Sequence, residues 1–96
     1  MDEGIVGYEQ TKDLSFGKYY LIIYRKPELM GKNIESGTKL LISYTRENPN
    51  DLKSYRDVWV EVMKMDSSGI TAQFVNSNKY ESGTITLKTE NIKDIQ

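Results

Sequence analysis

Histidine and cysteine are both missing from this 96-residue chain. Without histidine there is no side chain poised to shuttle protons near neutral pH, and the commonest zinc ligand is gone. Without cysteine there is no disulfide, no thiolate nucleophile and no Cys-ligated metal. Long apolar runs are missing as well. The longest, Tyr19 to Tyr24, has six residues, against about 20 for a membrane helix. The start, Met1-Asp2-Glu3-Gly4, is acidic and carries no apolar segment. No signal peptide and no membrane association are therefore expected, and the cytoplasm is the expected compartment. Nor does one sign of charge prevail: 13 basic and 14 acidic residues leave a net charge of −1, so nothing global draws the chain to nucleic acid.

The remaining chemistries narrow quickly. There is no phosphate-binding Gly-rich loop, no calcium loop and no dense Asp cluster. No cofactor and no metal site is expected. Asp57 and Glu61 share a strand face but lie roughly 13 Å apart at strand rise, too far for a glycosidase pair, and read as solvated strand-edge charges. Ser36-Gly37 and Ser82-Gly83 read as turn residues without a partner base. No residue is assigned a catalytic role, and the chain is not expected to be an enzyme.

What is present is β-structure. Val58, Val60 and Val62 alternate with Trp59, Glu61 and Met63, the period of a strand with one buried face. Asp66-Ser67-Ser68-Gly69 supplies a tight turn, and Ile70, Ala72 and Phe74 form the return strand. After a polar loop from Asn76 to Gly83 comes a strand at Thr84–Lys88, a 3-10 turn at Thr89-Glu90-Asn91, and a short closing strand with Ile92 and Ile95. Upstream, Thr38–Tyr44 reads as a strand with Leu40, Ile42 and Tyr44 on one face. The apolar stretch within Lys18–Lys26 reads as a strand covered on both faces. Pro27 to Gly31 reads as a single turn or loop, and residues 1–15 as an edge strand or an ordered arm. Between Arg46 and Asp57 runs a polar connection pinned by Leu52 and Tyr55. The tetrapeptide Glu35-Ser36-Gly37-Thr38 recurs as Glu81-Ser82-Gly83-Thr84, which reads as shared turn chemistry ahead of a strand.

From Ile34 onward there is a Gly-led first strand, a long polar loop, three strands joined by turns, one 3-10 turn and a short last strand. That order resembles the Src-homology-3-like and Sm-like small barrels. The resemblance implies an all-β domain, a five- to six-stranded antiparallel barrel at 34–96, with residues 1–33 as an addition packed on it that contributes an extra strand. The acidic and aromatic loop pattern of the proline-rich-peptide binders of that fold is absent, so no binding residues carry over.

With catalysis set aside, binding remains. Residues 12–56 hold nine cations against five anions, and 57–96 hold four against six. The candidate interface is Tyr19, Tyr24, Arg25, Lys26, Tyr44, Arg46, Tyr55, Arg56 and Trp59, since Tyr, Trp and Arg dominate binding hot spots. The expected function is a non-catalytic protein-interaction or adaptor module, of the kind a bacterium or phage carries as an accessory protein. Its expected partner is another protein, or a second copy paired through the Tyr19–Tyr24 strand. The alternative is a single-stranded nucleic-acid-binding barrel that stacks bases on the Tyr rings of region 18–56 beside its cations.

Overall fold

The computed structural model describes residues 4–11, 17–24, 33–79 and 81–96. These form seven antiparallel strands: β1 (Ile5–Thr11), β2 (Tyr19–Tyr24), β3 (Lys39–Arg46), β4 (Arg56–Asp66), β5 (Gly69–Phe74), β6 (Thr84–Leu87) and β7 (Ile92–Ile95). One 3-10 turn, Leu52–Ser54, precedes β4 and another, Thr89–Asn91, precedes β7. Among the described residues there is no α-helix, and no helix is long and apolar enough to cross a membrane. The expected turn at Pro27–Gly31 lies outside the described residues.

The hydrogen-bonded order is β1-β2-β3-β4-β5-β6, with β7 joined to β3. One edge of β3 takes β4 from Lys39 to Tyr44. Its other edge is divided, with β7 along Leu40–Ile42 and β2 along Tyr44–Arg46. Register shifts at Ile5/Gly7, at Leu41/Ile42 and at Val62/Lys64 bend a sheet that already twists. The result is the all-β antiparallel architecture expected from the sequence, a sheet curled into a half-barrel. Across its open side Lys88, just past β6, reaches Glu9 of β1 at 3.6 Å.

Period-2 alternation accounts for the interior. Leu40, Ile42 and Tyr44 of β3, Val60 and Val62 of β4, Ile70, Ala72 and Phe74 of β5, Ile85 and Leu87 of β6, and Ile92 of β7 form one cluster with Tyr19 and Leu21. Each fully buried aliphatic side chain contributes about 1.5–3 kcal/mol of transfer free energy. β2 is apolar throughout because both of its faces are covered. Ile22 and Tyr24 are buried as well, outside that cluster. The main-chain groups of β2 bond to β1 all along it and to β3 at residues 19–21. Among the described residues the hydrogen-bonded order ends at β1 and β6, with β7 off that path.

β4 runs beyond its sequence expectation. It continues past Met63 to Asp66, where Met63 and Met65 are exposed. At its tip the Asp66 carboxylate accepts the Ser68 amide at 2.8 Å. Gly69 follows at φ 136°, and a Cβ there would meet the Leu87 carbonyl oxygen at 2.8 Å. The polar connection before β4 contains the Leu52–Ser54 turn, whose Leu52, like Tyr55 after it, is half-buried.

Candidate functional site

Of the nine candidate residues seven are described, and these seven do not lie on one exposed face. Arg25 and Lys26 lie outside the described residues. Tyr19, Tyr24 and Tyr44 are buried, at 0%, 4% and 3% exposure. Tyr55 and Trp59 are half-buried, and Arg46 and Arg56 are exposed. Trp59 stands on β4 opposite Leu41 of β3, on the face turned away from Tyr44.

Strand alternation also sends Tyr24 away from the groove described next. Its hydroxyl donates to Ser43 Oγ at 2.7 Å, and Ser43 Oγ donates in turn to the Asp57 carboxylate. Lys93 Nζ reaches the other Asp57 oxygen at 2.6 Å and lies 5.4 Å from the centre of the Tyr55 ring. Asp57, read from sequence as a solvated strand-edge charge, is thus tied to β3 and β7. The bond to Asp57 pushes the Lys93 ammonium up from its ordinary value, against the opposing effect of burial.

Tyr19, Tyr44, Arg46 and Arg56 do come together. The end of β3, the start of β4, the first 3-10 turn and the loop before β6 enclose an open groove of about 660 Å³. Its lining includes Tyr44, Arg46, Ser54, Arg56, Lys79 and Glu81. The rings of Tyr19 and Tyr44 meet edge to face with centroids 5.4 Å apart. The Arg46 guanidinium sits 5.5 Å from the Tyr19 ring centre, a cation–π distance that restrains an otherwise exposed side chain.

Glu81 anchors the groove floor and is only 4% exposed. Its Oε2 accepts the Tyr44 hydroxyl and, at 2.6 Å, Arg56 Nε; its Oε1 accepts Asn78 Nδ2 at 2.9 Å. The main chain closes the loop, with Glu81 N donating to Asn78 Oδ1 at 2.8 Å and Asn78 N donating to the Glu81 carbonyl at 3.0 Å. Burial alone would push the Glu81 carboxyl up. The donors Tyr44, Asn78 and Arg56 outweigh it and hold the group below its ordinary value. Burial first, and then the bond to Glu81, pushes the Tyr44 phenol well above the usual tyrosine range. Glu81 is therefore ionised at neutral pH with its oxygens already engaged, and the groove's outward chemistry is that of its cations.

Glu81 and Asn78 escaped the sequence reading. Glu81 stands in a tetrapeptide identical to the one that begins at Glu35, and Glu35 is exposed. The separating signal lies upstream: Asn78 is three residues before Glu81, a spacing at which an amide side chain can bond back onto the main chain. Compared with known proteins, the chain matches no family model, no curated protein and no solved structure.

Proposed function

We propose that this protein is a non-catalytic protein-interaction module acting in the cytoplasm, an adaptor whose partner docks at the groove beside Arg46 and Arg56. The observation that carries this reading is the fate of the tyrosines. A single-strand binder needs open rings on which bases can stack, whereas Tyr19, Tyr24 and Tyr44 are enclosed. Their hydroxyls or edges serve the fold, and two arginines remain beside a fixed, half-polar wall, a composition suited to recognition between proteins. The order β7-β3-β4-β5-β6, with a 3-10 turn before β7, supports the Src-homology-3-like reading of residues 34–96.

The test is affinity capture from cells of the source organism with the full chain as bait, at low and high salt, with and without nuclease. A protein partner that stays through nuclease treatment is the expected result. Loss of all captured material on nuclease treatment, with binding that falls steeply with salt, would replace this reading with the nucleic-acid one.

A further inference from the structure

We infer that the groove between Arg46 and Arg56 is a carboxylate-binding site that takes a short acidic segment of a partner protein. The inference rests on the interaction-module reading and names the chemistry of its ligand.

Arg56 is the fixed half of the site. Its Nε is spent on Glu81, itself held by Tyr44 and Asn78, which orients the guanidinium plane before any ligand arrives. That contact uses the Nε side of the fork, and the Nη edge remains as a donor pair on a side chain that is 64% exposed. Paired Nη donors match the two oxygens of a carboxylate. Arg46 is the second half, restrained over the Tyr19 ring on the same groove wall. Preorganisation of this kind reduces the ordering entropy a ligand must overcome.

Phosphate is also an arginine ligand, so the choice between an acidic peptide and a nucleic acid rests on the length of the positive surface. Glu81 belongs to the lining, Glu47 directly follows Arg46, and Asp51 immediately precedes the Leu52–Ser54 turn whose Ser54 also lines the groove. The cations of the lining are Arg46, Arg56 and Lys79, a short stretch suited to one or two carboxylates. A chain of phosphates would run onto these anions, and the described ring in the groove lining, Tyr44, is buried.

Heteronuclear NMR titration of the full chain tests this with three probes: a short peptide of alternating Asp and Gly, its Asn-for-Asp counterpart, and an oligothymidylate. The acidic peptide is expected to move the amides of Arg46, Arg56 and Asn78 saturably, and the Asn peptide to leave them in place. Arg46→Gln, at an exposed side chain, is expected to weaken the acidic peptide about threefold to fivefold. Arg56→Lys, which keeps the charge facing Glu81 but loses the fork, is expected to weaken it as well. Equal response to the acidic and Asn peptides, shifts confined to another face, or tighter binding of oligothymidylate at these amides would each overturn the inference. The two readings fail separately. A partner captured with undiminished affinity by a bait carrying both Arg46→Gln and Arg56→Gln removes the groove site and leaves the module. Saturable acidic-peptide binding with no nuclease-resistant partner leaves the site and removes the module.

Discussion

Glu81 accepts hydrogen bonds from a side chain of β3, a side chain of β4 and a side chain of its own loop. Removing it strands several donors at once, while removing Arg56 takes away one mostly exposed partner. Glu81→Ala should therefore lower stability by about 2–3 kcal/mol, and Arg56→Gln by about 1 kcal/mol or less. Urea unfolding of both variants checks this, and the reverse order would show that the carboxylate is not the hub. The same residue sets an acid response. Its folded-state value lies below the ordinary 4.5, so its stabilisation is complete above about that pH and disappears as pH falls through the folded value. Glu81→Gln has no such proton to take up. Its stability should fall less steeply than the wild type's below pH 4.5, and parallel curves would assign the acid response to other groups.

Elements announced themselves in proportion to how local their causes are. The β4–β5 hairpin was legible because Asp66 and Gly69 do their work within four residues, the one by bonding the Ser68 amide, the other by its backbone. Gly69→Ala meets both a φ of 136° and a main-chain oxygen at 2.8 Å, and should lower stability by about 2–3 kcal/mol. Gly37→Ala, at φ 94° with open space around the added methyl, carries only the backbone strain of about 1 kcal/mol. Thermal denaturation of the pair separates close approach from strain, and equal losses would refute the packing at Leu87. The extent of β4 was less legible because a register shift between Val62 and Lys64 breaks the alternation by which a strand is recognised. The candidate interface was least legible of all. Tyr19, Tyr24, Tyr44, Arg46 and Arg56 are interleaved along the sequence, yet strand parity turns Tyr24 away from the other four, and only the pairing of β3 with β4 sets Arg56 opposite Tyr44. The identical tetrapeptides at Glu35 and Glu81 show the same limit, since the direction of each carboxylate is decided by what lies across the sheet.

For the molecule as a whole, tyrosine in the interior sets an alkaline boundary. A phenol suits a thin half-barrel because its ring fills the core while its hydroxyl finds a partner, as Tyr24 does at Ser43 and Tyr44 at Glu81. Burial pushes Tyr19, Tyr24 and Tyr44 above the ordinary 10.0. Below that pH the folded and unfolded chains hold these protons equally. Above it the unfolded chain releases them first, so stability falls as pH rises through 10.0 toward the folded values. Lys93 acts in the same direction. Its bond to Asp57 raises it above 10.5, so its contribution is complete below that pH and is lost as pH climbs through the folded value. Four groups failing together should give a cooperative alkaline unfolding. Among the seven tyrosines, phenolate absorbance should then include a late fraction that appears only as the far-ultraviolet circular dichroism of the sheet collapses. Tyr44→Phe removes one late phenol and should make the alkaline limb shallower even if it lowers stability at neutral pH. If instead all seven phenols ionise smoothly while the sheet signal persists, the rings of β2 and β3 are open to solvent, and the case against base stacking falls with the burial it depends on.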